Sequence, residues 1–308
     1  MIKLRAAVIG VGYLGTFHAQ KYKNNHNVEL VGVFDVNKEQ AQKVASDLKI
    51  SFFEKIEDLV GQVDLATIST STQSHFMVAE YLIKNGIHVN IEKPITAKVE
   101  EARHLIALAK EKNVKLTVGH IERFNPAFIK FKQTMGAPQF LEFERMGPFK
   151  ARGADVSVVH DLMIHDLDLL LSLNPGPILS MQAQGKKLKS QSYDWSVVWI
   201  AFASGLKVCL KASRVSLVAT RVIRAFDQET LWTVNLNNCE IEKVLFGIGL
   251  DTPLASEKII IEKVDGLQKE TDIFIDSVLS NKYPLISGED GMKALELVER
   301  ICSELQNV

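Results

Sequence analysis

Cysteine is scarce in this sequence: Cys209, Cys239 and Cys302 are odd in number and far apart. No pair has the spacing of a zinc knuckle or a redox C-x-x-C, which argues against a disulfide framework and for a reduced, cytoplasmic protein. Long apolar runs are lacking too. No stretch nears the roughly 20 apolar residues of a membrane span. The short run Leu4–Ile9 meets a glycine turn with no small-residue cleavage site, so it reads as a strand and not as a signal peptide. Nor is there an excess of one charge: 36 basic and 37 acidic residues leave a formal net charge of −1. A nucleic-acid or membrane partner therefore has no electrostatic support. Internal repeats and low-complexity segments are missing as well.

What is present is an ordinary soluble composition, 46% hydrophobic and 24% charged, over 308 residues. That length is about twice a usual domain, so two domains are expected. The first begins with the apolar run to Ile9, then Gly10-Val11-Gly12-Tyr13-Leu14-Gly15, a helix-compatible stretch to about Tyr22, and a second apolar run, Val28–Phe34, ending at Asp35. Strand, G-x-G-x-x-G, helix, strand and terminal acid together make a βαβ dinucleotide-binding unit. Gly10 permits the tight turn, Gly12 lets a pyrophosphate approach, and Gly15 lets the helix pack on the strand. Tyr13 and Leu14 lie within the turn, ahead of a helix whose N-terminal N–H groups favour phosphate. Asp35 can accept hydrogen bonds from ribose hydroxyls and would repel a 2′-phosphate, so NAD is expected over NADP.

The alternation goes on through a strand at 63–69, a helix at 75–85, a strand at 87–91, a helix at 99–112 and a strand at 114–118. This predicts an α/β, doubly wound parallel sheet of the Rossmann type over residues 1–121. Ligands in such sheets bind at the carboxyl ends of the strands. That rule selects Gly10, Asp35, Ser69, Thr70, Glu92, Lys93 and His120, with His75 just beyond, as cofactor or substrate contacts. Residues 122–308 form the second domain: a helix at 159–173, strand-like runs from 178 to 262 without intervening helices, and closing helices at 266–280 and 288–306. An α+β domain with a mostly antiparallel open sheet is expected. Arg123 and Arg152 are candidates for a phosphate or other polar ligand, since guanidinium pairs bidentately with phosphate. Trp195, Trp199 and Trp232 lie in strands and read as core or sheet-face packing.

Asp161, His165 and Asp168 are spaced four and three apart, which places them on one helical face. His160 and His165, five apart, do not align as metal ligands, and no metal is expected. Histidine suits the removal of a hydroxyl proton during hydride transfer, and a lysine cation stabilises the developing alkoxide. Lys93, at a strand end and stiffened by Pro94, is placed for that second task.

These residues resemble the Gfo/Idh/MocA oxidoreductases across essentially the whole chain. The resemblance rests on the glycine turn with His18 downstream, on Ser69-Thr70-Ser71-Thr72-Gln73-Ser74-His75, and on His88-Val89-Asn90-Ile91-Glu92-Lys93-Pro94. It continues at Arg123-Phe124-Asn125-Pro126 and through Asp161-Leu162-Met163-Ile164-His165-Asp166-Leu167-Asp168. Ser71 stands where the family often has proline, and Met163-Ile164 where many members carry a glycine before the histidine. The family implies Lys93 and His165 as the catalytic pair, with Asp161 binding substrate or orienting the histidine. The stretch from Val118 to Ala127, together with Asp161 to Asp166, is similar to one branch of the family, which includes enzymes that oxidise the 3-hydroxyl of UDP-N-acetylglucosamine to a ketone on the way to 3-amino sugars for lipid A. The alternatives are a dehydrogenase of a free sugar or inositol, and a non-catalytic dinucleotide-binding regulator on the same fold. Lys93, His120, Arg123, Arg152, Asp161 and His165 are the expected substrate contacts. A homodimer or homotetramer is expected through the second domain's open sheet, since large apolar faces rarely meet water.

Overall fold

The computed structural model describes residues 3–151, 153–246 and 254–306. The described chain divides into two compact units, the first of residues up to Ile121 with Asp265–Leu295, the second of Glu122–Val264 with the residues from Glu296.

The first unit opens with β1 (Leu4–Ile9), α1 (Tyr13–Lys23), β2 (Val28–Phe34), α2 (Lys38–Leu48) and β3 (Ser51–Phe52). It continues with β4 (Leu65–Ile68), α3 (Thr72–Lys84), β5 (His88–Glu92), α4 (Val99–Lys112) and β6 (Leu116–Gly119). All six strands are parallel, in the order β3-β2-β1-β4-β5-β6. A strand between two helical layers has no wet face, which is why Ala6, Ala7, Val8 and Ile9 are all fully buried. Chain order reverses between β1 and β4, and ligands in such sheets bind outside the carboxyl ends at that switch. The sequence reading passes over α2. Its apolar face is narrow, with Ala41, Val44 and Ala45 buried, and Asn37 caps its start by accepting from the Gln40 N–H.

The second unit holds α5 (Pro126–Thr134), β7 (Phe140–Met146), α6 (Ile164–Leu171), β8 (Ile178–Lys186), β9 (Trp195–Phe202) and β10 (Lys207–Ser213). It goes on through β11 (Thr220–Phe226), β12 (Thr230–Asn235), β13 (Glu240–Leu245) and β14 (Ala255–Ile260). These eight strands form one sheet, antiparallel throughout except where β7 pairs parallel with β10. Alternation along β7 turns Leu141, Phe143 and Arg145 to the buried face and leaves Phe140, Glu142, Glu144 and Met146 on the other. On the buried side Phe131 of α5 meets Trp232 edge to face at 6.2 Å between ring centroids. α7 (Gly266–Leu279) returns to the first unit, where it packs on α1 and sends Phe274 and Ile275 into the core around β1 and β2. α8 (Gly288–Gln306) is continuous, and the assignment to units changes within it at Leu295. No described helix is long and apolar enough to cross a membrane.

Candidate active site

In the first unit the glycine turn closes between β1 and α1. Gly10 has a φ of +83°, and a Cβ there would stand 2.7 Å from the Ser69 and Thr70 backbone; a Cβ on Gly15 would lie 1.8 Å from the Gly10 carbonyl oxygen. Neither position admits a side chain without moving β1 from β4 or from α1. A Cβ on Gly12 would meet nothing within 4 Å, which leaves the open approach a pyrophosphate needs. Gly12 caps α1 with no side-chain hydrogen bond, and the first turn carries no acidic residue. Anionic phosphate would therefore meet uncapped N–H groups and the positive helix end without a competing carboxylate. Tyr13 is exposed and Leu14 half-buried at the helix start.

Asp35 is held by two backbone donors, with Val11 N–H to Oδ2 and Asn37 N–H to Oδ1, both at 2.8 Å. Gln40 donates to the Val11 carbonyl at 2.8 Å and closes the turn from α2. Gly10, Gly12, Asp35, Val36, Ser69 and Thr70 are among the walls of a cavity of about 390 Å³. The donor set, the uncapped helix and the cavity fit the adenosine and pyrophosphate of a dinucleotide.

The loop after β5 carries Glu92, Lys93 and Pro94. His75, fully enclosed in α3, places Nδ1 2.9 Å from the Pro94 carbonyl oxygen and Nε2 3.2 Å from that of Thr70. It ties this loop to the one after β4, so its ring serves the protein's own backbone. Burial lowers its pKa against the pull of those carbonyls. Lys93 is half-buried, and its backbone N–H donates to Glu92 Oε2 at 3.2 Å. Glu92 Oε1 lies 2.8 Å from His18 Nε2 of α1, and both side chains are buried. His120 is buried just after β6.

In the second unit the expected uniform helix at 159–173 is a π-helical segment, Val159–Met163, followed by α6. Asp161 lies in the π segment and His165 in the first turn of α6, and both are half-buried. The wider π turn alters the angular step between them, so spacing by four no longer means stacking as it would in an α-helix. Gly153, at φ +79°, comes so close that a Cβ would stand 2.7 Å from Asp161 Oδ2. Arg214 holds that loop, donating to the carbonyls of Gly153 and Val156 while paired with the buried Asp194. Arg152 lies outside the described residues.

Asp168, fully buried, receives the Arg123 guanidinium bidentately at 2.6 and 2.8 Å, so the forked edge of Arg123 is engaged within its own unit. Sequence reasoning missed the neighbouring cluster. Arg145 of β7 pairs bidentately with Asp166 of α6, closest at 2.7 Å, and reaches Glu122 at 2.9 Å, all three buried. Burial pushes Asp166 up against the pull of Arg145, while Arg145 and Arg221 hold Glu122 low despite its burial. The available signal was an arginine at the third inward position of the alternating run Leu141, Phe143, Arg145. The other missed residues, Asn90 and Glu270, are joined by a 2.8 Å hydrogen bond across 180 positions, which no local pattern reveals.

A family model for the oxidoreductase family with NAD-binding Rossmann fold matches residues 4–120, and one for the GFO/IDH/MocA C-terminal domain matches 132–226. The chain is 38% identical to the UDP-N-acetylglucosamine 3-dehydrogenase of Acidithiobacillus ferrooxidans over 96% of its own length and 95% of that protein's. A solved structure of that enzyme superposes with a TM-score of 0.92 at 36% identity, covering 100% of this chain and 99% of the other. The myo-inositol 2-dehydrogenase of Thermotoga maritima is 26% identical over 96% of this chain and 94% of its own. Fold, turn chemistry and full-length similarity agree on an NAD-binding oxidoreductase, and the chain belongs to the GFO/IDH/MocA family.

Proposed function

We propose that this protein is an NAD-dependent dehydrogenase that oxidises the 3-hydroxyl of UDP-N-acetylglucosamine to the ketone, feeding the synthesis of a 3-amino sugar. The observation that carries the reading is the 38% identity, over nearly the full length of both chains, to an enzyme of that name. In this reading the first unit, residues 1–121 with Asp265–Leu295, binds the cofactor, the remainder of 122–308 serves the substrate and assembly, and the setting is cytoplasmic.

Bound NAD supplies the hydride acceptor. Gly10, Gly12, Gly15 and the α1 terminus take the pyrophosphate, Asp35 the adenosine ribose, and Ser69 and Thr70 line the same groove. His165 accepts the proton of the reacting hydroxyl, a role suited to imidazole near neutral pH. The Lys93 ammonium stabilises the negative charge that develops on that oxygen. Asp161 orients His165 or holds a neighbouring hydroxyl. The open face of the second sheet supports a homodimer or homotetramer: Trp199 is 49% and Phe226 36% exposed there, around Phe140.

The test is NADH formation by purified, NAD-loaded protein offered UDP-N-acetylglucosamine, UDP-glucose or myo-inositol. UDP-N-acetylglucosamine is expected to be turned over fastest. Lys93→Ala is expected to lose roughly 10²–10³-fold in kcat while NAD affinity changes little. Faster turnover of myo-inositol would replace the substrate assignment with the one its inositol-dehydrogenase relative suggests. No turnover of any of the three by folded, loaded protein would overturn it.

A further inference from the structure

Three hydrogen-bonded groups of buried polar side chains lie in the first unit, and one of them meets the Lys93 loop. Tyr22 and His18 come from α1, Thr67 from β4, Asn90 and Glu92 from β5, Thr117 from β6, and Glu270 from α7; all are 8% exposed or less. The Tyr22 hydroxyl lies 2.8 Å from Thr67 Oγ1. The Thr117 hydroxyl donates to Asn90 Oδ1 at 2.7 Å, and Asn90 Nδ2 donates to Glu270 Oε1 at 2.8 Å. His18 Nε2 lies 2.8 Å from Glu92 Oε1, and Glu92 Oε2 accepts the Lys93 backbone N–H. Five elements thus each place polar groups where aliphatic side chains would fill the space without a desolvation cost.

We propose that His18 and Glu270 are positioning residues for Lys93, acting through the Glu92 carboxylate. This rests on the assignment of Lys93 as a catalytic residue. An ionised Glu92 fixes the Lys93 backbone and sets a negative charge beside the lysine, and it can do so in a buried site only with a cation against it. Burial disfavours charge on His18, but the hydrogen bond and charge of Glu92 outweigh it and hold the imidazole above the ordinary histidine range. Glu92 is held low in return by His18 and Lys93, against its own burial, with His75 of α3 adding a smaller pull. Glu270 differs: burial pushes it up to about 7, with His18 opposing and Glu92 assisting. Its Oε2 is buried with no hydrogen-bond partner, so the protonated form suits the site. The trio therefore carries no net charge when Glu270 is protonated and one negative charge when it is not, and the second state favours the charged form of Lys93.

The test follows Lys93 by NMR of isotope-labelled, NAD-free protein, its side-chain signal assigned with Lys93→Arg. Wild-type protein is expected to show a Lys93 perturbation with a midpoint near 7 that is missing in Glu270→Gln, an isostere of the protonated acid that keeps the fold. His18→Gln, which keeps a donor but no charge, is expected to lower the Lys93 pKa by about one unit and kcat roughly tenfold, with KM and NAD affinity within threefold of wild type. A perturbation near 7 that persists in Glu270→Gln, or a Lys93 titration unmoved in His18→Gln, overturns the proposal. The NMR readout is independent of which sugar is turned over, so failure of the substrate assignment leaves it standing, while sugar turnover with an unmoved lysine sinks it alone.

Discussion

Glu270 couples the cofactor unit's stability to pH. Its folded pKa is pushed up to about 7 from an ordinary 4.5, first by burial. As pH rises, the unfolded chain releases this proton first, so the folded state binds more protons between those two values. Stability from this group is fully present below about 4.5 and falls through the window up to about 7. The loss is on the order of 3 kcal/mol at the upper end. His18, raised above its ordinary value, adds a decline of the same sign at higher pH. Glu270→Gln is therefore expected to be more stable than wild type at pH 8 and no more stable at pH 5, measured by urea unfolding. Equal differences at both pH values would show that the acid is charged throughout. At this scale the sequence exposes what is local. The turn glycines, Asp35 and Lys93 announce themselves because each sits at a fixed offset from a strand end. The pairing of His18 with Glu92, 74 positions apart, and of Asn90 with Glu270, 180 apart, has no such marker.

Elements show the same division. The helix at Val99–Lys112 is visible in the sequence because its apolar residues repeat with helical period and its ends are sharp. β7 is not, because its inward line ends in a charge, Arg145, and its outward line carries Glu142 and Glu144. The same arginine gives the strand its function. Its bidentate pair with Asp166, next to His165, fixes the rotation of α6 about its axis. Breaking a buried pair by removing one partner strands the other charge, at a cost of about 3–5 kcal/mol. Asp166→Ala is expected to destabilise by up to that amount in denaturant unfolding, Glu122 remaining against Arg145, and the double change Arg145→Met with Asp166→Leu to recover part of it, Arg221 remaining against Glu122. If His165 depends on this anchor, the double variant regains stability but not kcat. Recovery of both would leave the pair a stability device only.

For the whole molecule, the open face of the eight-stranded sheet is the proposed assembly surface. Where β7 begins it carries an aromatic cluster, with Phe140 lying 6.2 Å from Trp199 and 6.0 Å from Phe226 between ring centroids. Beside it Lys211 and Arg224 converge on Glu142 at 3.1 and 2.6 Å. Glu144 lies 4.0 Å from Arg224 as well, so two cations face two carboxylates within the chain and a second copy could cover them without stranding a charge. An aromatic patch rimmed by satisfied charges is what a self-complementary, two-fold interface requires. Such an interface commonly covers about 800 Å² on each partner. Trp199→Glu places a carboxylate at the centre of that patch, where pairing two copies would bury two like charges near the symmetry axis. The variant is expected to be monomeric by light scattering at micromolar concentration, with wild-type protein a dimer or tetramer. Because β9 is flanked on both sides by β8 and β10, the substitution leaves every strand pairing intact, so the monomer should keep its fold and its NAD affinity. A monomeric wild-type protein, or a Trp199→Glu variant that still assembles, would move the interface elsewhere.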